Sequence, residues 1–146
     1  QTPVIIIDEA NYIGNAVLND LKMLFNFEMD SRDRAIVLLS GLPQLNSTLR
    51  LSIHEPFRQR IVMNYNLEGM SKTEGHAYVT AKLKGAGCNQ TVFEENALEA
   101  ILSAANGTPR MINKLCNASL LVGNSSNLNI ITTDAVMQAI NDCELG

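Results

Sequence analysis

Cysteine is scarce in this chain of 146 residues: Cys88, Cys116 and Cys143 are the only three, an odd number without CxxC spacing. That excludes a disulfide framework or a zinc site of the usual spacing, and leaves reduced thiols in a cytoplasmic protein as the plain reading. Histidine is scarcer still. His54 and His76 are too few and too scattered to hold a metal without acidic residues at ligand spacing. No apolar run approaches the ~20 residues needed to cross a bilayer, so no membrane segment is expected. Eleven basic against fifteen acidic residues give a net charge of −4, so bulk charge advertises no nucleic-acid-binding face. No serine or cysteine stands in a nucleophile elbow. The N-x-[ST] matches at Asn46, Asn89 and Asn117 carry no meaning in a cytoplasmic protein.

What remains is the composition of an ordinary globular protein, 46% apolar and 18% charged, long enough for one large domain or two small ones. Val4–Ile7 is a continuous branched apolar run, the pattern of a strand buried on both faces in a parallel sheet. Residues 16–27 follow with helical spacing at Val17, Leu18, Leu21, Leu24 and Phe25, then a polar turn at 30–33. A second buried strand is expected at 35–39 (AIVLL) and one or two short helices over 43–59, with Pro56 at a break. Residues 61–67 (IVMNYNL) alternate and read as a third strand, nearer an edge. Strand–helix–strand–helix–strand implies right-handed crossovers and a parallel sheet. From Ser71 the character changes. Ser71-Lys-Thr-Glu74 is a capping box opening a helix that stops at Gly85 or Gly87. A helical stripe from Phe93 to Ala105 ends at Asn106-Gly107, and Thr108-Pro109 restarts the chain as N-cap and first-turn proline. A loop at 123–129 precedes a last helix after Thr132 and Thr133. The fold class is therefore α/β, with a three-stranded partial parallel sheet over residues 1–68 and an all-helical domain over 69–146.

Four small constellations carry chemistry. IIIDEA ends a strand of branched aliphatics in Asp8 and Glu9, the form of a Walker B motif. In that motif the aspartate holds Mg²⁺, usually through water, and the glutamate orients or deprotonates an attacking water. Many buried strands also end in acids. Ser40, in LLSGLPQL, closes the second strand and would lie beside Asp8 if the strands are neighbours, at the sheet edge where α/β ligands bind; it is equally a serine starting a turn before Gly41. Arg58 and Arg60, in FRQRIVMNYNL, precede the third strand, where a planar cation can reach a phosphate or simply be solvated. Arg110, in NGTPRMINKL, sits in the first turn of a helix, where the helix dipole disfavours a cation. A nearby anion would explain it, and so would a small tolerated cost at the surface.

Their order and spacing resemble the back half of an AAA+ ATPase: Walker B, sensor 1, arginine finger, hinge, then a helical lid carrying sensor 2. LNDLKMLFNFEMD, LLSGLPQLNSTL, PFRQRI, HAYVTAKLKGAG, GTPRMINKLCNASL and ITTDAVMQAI are similar to the ExeA-like branch. That branch includes secretion-associated ATPases and helper ATPases of transposition, with TnsC and TniB as more distant relatives. The resemblance covers nearly all of the chain. It implies a P-loop-type sheet with an AAA+ lid, ATP and Mg²⁺ as cofactors, and hydrolysis between subunits of a homo-oligomeric ring or filament. It makes Glu9, Arg60 and Ser40 catalytic, with Arg60 preferred over Arg58 as the finger. It assigns Asp8, Arg110 and Arg58 to the nucleotide and its metal, with Mg²⁺ held at Asp8. Transposase and DNA are the implied partners, secretion machinery the alternative; a degenerate, non-catalytic scaffold is the competing class.

One feature of the pattern is missing. No GxxxxGK[ST] occurs, and none of the nine glycines is followed by Lys-Ser or Lys-Thr. In the family that loop lies N-terminal to Walker B. The chain is thus expected to be the C-terminal part of a longer ATPase, and inactive alone.

Overall fold

The computed structural model describes residues 2–24 and 35–144. The chain divides into two units, residues 1–65 and 66–146. The polar turn expected at 30–33 and the end of the first expected helix lie outside the described residues.

In the first unit, strand β1 (Val4–Ile7) leads through a 3₁₀ turn (Ala10–Tyr12) to helix α1 (Asn15–Leu24). Strand β2 (Ile36–Leu39), helix α2 (Gln44–Leu49), a second 3₁₀ turn (Ser52–His54) and helix α3 (Glu55–Arg58) follow. Branched side chains favour both strands, because their stiff χ1 suits a pleated surface. The strands pair in parallel, Val4 opposite Ile36 through Ile7 opposite Leu39. Leu18 and Leu21 lie one turn apart on α1 and close over Leu45, Leu49 and Phe57, with Ile7, Ile13 and Leu39 at the margin. Pro56 falls in the first turn of α3, where its missing N–H costs nothing. His54 is buried, its Nε2 2.8 Å from Asn15 Oδ1, which joins the start of α3 to the start of α1.

Two expectations need correction. The strands are not buried on both faces: Val4 (57%), Ile6 (66%), Ile36 (56%) and Leu38 (53%) remain exposed. Alternation along β2 turns Val37 and Leu39 toward cover and their neighbours away from it. An apolar run looks the same in a sequence whichever faces are covered, and the described helices of this unit cover one. Among the described residues the third strand is also absent, and the sheet has two strands and not three. Residues 61–67 form no ladder among the described residues, and Val62 is fully exposed. Alternation records which side chains seek burial; a strand needs in addition a neighbour offering N–H and C=O groups.

The second unit is helical: α4 (Lys72–Gly85), α5 (Glu95–Ala105), α6 (Pro109–Ser125) and α7 (Thr133–Glu144). Val79, Ala97, Ile101, Ile112, Leu115 and Val136 form its buried centre, drawn from all four helices. The capping box is present in both directions. Ser71 N–H donates to Glu74 Oε2 at 2.8 Å, and Ser71 Oγ accepts from the Glu74 N–H at 3.3 Å. The Ser71 hydroxyl also donates to Glu74 Oε2 at 2.7 Å, and this bond first, with the Ser71 N–H second, favours the ionised carboxylate and holds the Glu74 pKa below its ordinary 4.5. Thr108 and Pro109 open α6 as the sequence suggests, although the Thr108 side chain makes no capping bond. Helix α6 runs to Ser125, three residues into the expected loop. Phe93 and Ile131 form an isolated parallel bridge that ties the α4–α5 loop to the α6–α7 loop.

Candidate functional site

The register of β1 and β2 decides what stands together at their C-terminal edge. Ile7 lies opposite Leu39, so the next step out along each strand is Asp8 and Ser40. Two bonds continue the ladder there: Ser40 N–H donates to the Ile7 carbonyl at 2.9 Å, and Ala10 N–H donates to the Ser40 carbonyl at 2.8 Å. Asp8, Glu9 and Ser40 are therefore neighbours on one rim, and all three are exposed.

The chain bends sharply at this point. Glu9 has φ 53° and ψ 34°, a left-handed conformation rarely taken by a side chain with a Cβ. Asp8 supports the bend, since its Oδ1 accepts the Glu9 N–H at 2.9 Å. That bond leaves Oδ2 of an exposed carboxylate at the rim. Magnesium keeps most of its waters and takes only one or two protein carboxylates, so this donor set fits a water-mediated Mg²⁺. Among the described residues no group of three or more metal-ligating side chains is gathered anywhere.

Asn11, which the sequence reading passed over, joins this rim. Its Oδ1 accepts the Leu42 N–H at 2.9 Å, linking the turn after β1 to the turn after β2. The available signal was an asparagine in a turn directly after the acidic pair, a residue type that bonds backbone readily.

The arginines are held by backbone carbonyls. Arg58 Nη1 donates to the Arg50 carbonyl at 3.1 Å and, more weakly, to that of Leu49 at 3.5 Å, capping the C-terminal end of α2. Arg60 Nη1 lies 3.4 Å from the Lys22 carbonyl near the end of α1. Both are exposed. Arg110 belongs to the second unit, exposed in the first turn of α6.

Within that unit a cleft of about 510 Å³ is lined by Glu68, Met70, Lys72, Leu102, Asn106 and Ile112. Its floor is a backbone clamp. Met70 N–H donates to the Gly107 carbonyl at 2.8 Å, and a Cβ on Gly107 would lie 2.5 Å from the Met70 carbonyl oxygen. Gly107 has φ +71° and follows Asn106, itself left-handed, so the turn that delivers Arg110 needs both residues. Beside the cleft, Glu99 accepts from Lys72 Nζ at 2.8 Å and approaches His76 Nε2 at 2.9 Å, with Lys72 foremost in holding its pKa below the ordinary value.

Comparison with known proteins bears on both units. A family model described as an AAA domain matches residues 1–49. General secretion pathway protein A of Aeromonas hydrophila is 36% identical over 118 residues, which is 81% of this chain and 22% of that protein. An uncharacterized HTH-type transcriptional regulator of Methanocaldococcus jannaschii is 25% identical over 143 residues, 94% of this chain and 34% of that protein. Among solved structures, the RuvB Holliday junction branch migration motor of Thermotoga maritima superposes with a TM-score of 0.65 at 22% identity, covering 94% of this chain and 43% of RuvB. The chain thus has the AAA+ fold seen in RuvB, and spans less than half the length of these relatives.

Proposed function

We propose that this chain carries the hydrolytic rim and the helical lid of an AAA+ ATPase, and that the complete gene product binds and hydrolyses ATP between subunits. The observation that carries the reading is the strand register, which sets Asp8, Glu9 and Ser40 side by side at one sheet edge. Asp8 would hold Mg²⁺ through water at its Oδ2, where the metal offsets phosphate charge. Glu9 takes the proton of the attacking water; general-base assistance of this kind contributes roughly 10²–10⁴ in rate. The Ser40 hydroxyl orients the water or the γ-phosphate. Arg60 serves the neighbouring subunit's nucleotide, and Arg110 reads the γ-phosphate from the lid. Arg58, whose guanidinium caps α2, is the alternative candidate for the finger. An ATPase of this kind also needs a phosphate loop, and these 146 residues hold no GxxxxGK[ST].

The likeness to a general secretion pathway protein supports secretion machinery as the partner of a homo-oligomeric ring or filament. A transposase and DNA, the partners favoured by the sequence alone, are the second reading. The identity of the neighbouring genes separates the two.

The test compares two variants of the complete gene product. Glu9→Gln is expected to keep Mg-ATP affinity and lose hydrolysis, and Asp8→Asn to weaken Mg-ATP binding. Near-normal kcat in Glu9→Gln would overturn the role given to Glu9, and no turnover by the unaltered gene product would favour a non-catalytic scaffold.

A further inference from the structure

Beyond the last rung of the ladder, the two chains part toward α1 and α2, and one side chain still joins them. Asn11 lies in a 3₁₀ turn of only three residues, a conformation whose own hydrogen bonds are poor. Its Oδ1 nevertheless holds the Leu42 N–H at 2.9 Å, across 31 positions of sequence. Gly41 shows how closely the turns approach. A Cβ there would lie 2.9 Å from Asn11 Oδ1, 3.0 Å from Asn11 N and 3.3 Å from Ala10 N. Glycine is required at that contact by closeness, not by a left-handed backbone.

We infer that Asn11, with Gly41 packed against it, is a positioning residue that fixes Ser40 relative to Asp8 and Glu9. The inference rests on the ATPase reading above. Glu9 and Ser40 sit on separate turns close to the clamp: Glu9 two residues before Asn11, Ser40 directly before Gly41. Loosening the clamp frees the two turns to slide at the point where a water and a phosphate would have to be aligned together. A neutral acceptor suits the place, because a carboxylate would add a third negative charge beside Asp8 and Glu9. Asn11 touches no reacting atom in this account; it acts through Ser40 and Glu9.

Two readouts test it. In the 146-residue chain, Asn11→Ala should speed amide exchange at Leu42 by about tenfold, the loss expected for one hydrogen bond. In the complete gene product, Asn11→Ala and Gly41→Ala should each lower kcat, by about 10²-fold if the reacting groups shift by ~1 Å, while Mg-ATP affinity stays at the wild-type value. Gly41→Ala keeps the asparagine but crowds its Oδ1 and backbone N–H from the other turn, so agreement between the two variants points to the clamp. Glu9→Gln is the control. If that control is slow and both clamp variants turn over at the wild-type rate, the inference falls and the ATPase reading stands. If Glu9→Gln is as fast as wild type, the role given to Glu9 falls first, and if wild type itself releases no phosphate, the ATPase reading does. Unchanged Leu42 exchange in Asn11→Ala, or ATP affinity lost in parallel with kcat, would also overturn the clamp.

Discussion

Glu9 adopts a backbone conformation that costs a residue with a Cβ about 1–2 kcal/mol and costs glycine little. A glutamate kept there in spite of the cost is most simply a residue needed for its carboxylate. Glu9→Gly should therefore raise the stability of the 146-residue chain by about 0.5–1 kcal/mol, after the extra unfolded-state freedom of glycine is subtracted. The same change should abolish hydrolysis in the complete gene product. Denaturant midpoints read the first effect, and a lowered midpoint would show that the bend is unstrained. Arg110 poses the reverse case, a cation at the disfavoured end of α6 with its guanidinium exposed. In the complete gene product, Arg110→Ala should lose preference for ATP over ADP by about 1.5–3 kcal/mol, the range of a charge-assisted hydrogen bond. Competition binding measures this, and an unchanged preference would make Arg110 an ordinary surface charge.

Helices α4 to α6 were legible in the sequence because each carries its own signal: a capping box at Ser71, a left-handed stop at Asn106-Gly107, a proline at the head of α6. The capping box titrates. The folded-state pKa of Glu74 lies below its ordinary 4.5, so its stabilising contribution is complete above that pH. It is lost as pH falls through the lower folded value. The melting difference between wild type and Ser71→Ala should accordingly be larger at pH 7 than at pH 3, and a difference independent of pH would contradict the assignment. The α5–α6 turn depends on Gly107 more than the sequence alone reveals. Gly107→Ala should cost at least about 1–2 kcal/mol, from the left-handed backbone and from the Met70 carbonyl that its Cβ would meet, as denaturant midpoints would show. What the sequence did not disclose is contact across distance. Asn11 to Leu42, Arg58 to the end of α2, and the lack of a ladder for residues 61–67 all depend on what a residue meets, and no local period records that.

At the scale of the whole molecule, the proposed function gives the acidic pair at the end of β1 a nucleotide and a second subunit to act on. The sequence pattern placed Asp8 and Ser40 on neighbouring strand ends, and the register agrees because parallel strands finish on the same edge. It could not place the arginines, whose partners lie elsewhere in the fold. An arginine acting in trans is worth roughly 10³–10⁵ in rate. Hydrolysis by the complete gene product should then rise more steeply than linearly with protein concentration. The most direct measurement mixes two inactive variants of that gene product, Glu9→Gln and Arg60→Ala, and follows phosphate release across mixing ratios, with mixed assembly confirmed by sizing. Some interfaces in the mixture join an intact Glu9 from one subunit to an intact Arg60 from the next, so activity should return, highest near equal proportions. No recovery at any ratio would contradict hydrolysis shared between subunits through Glu9 and Arg60.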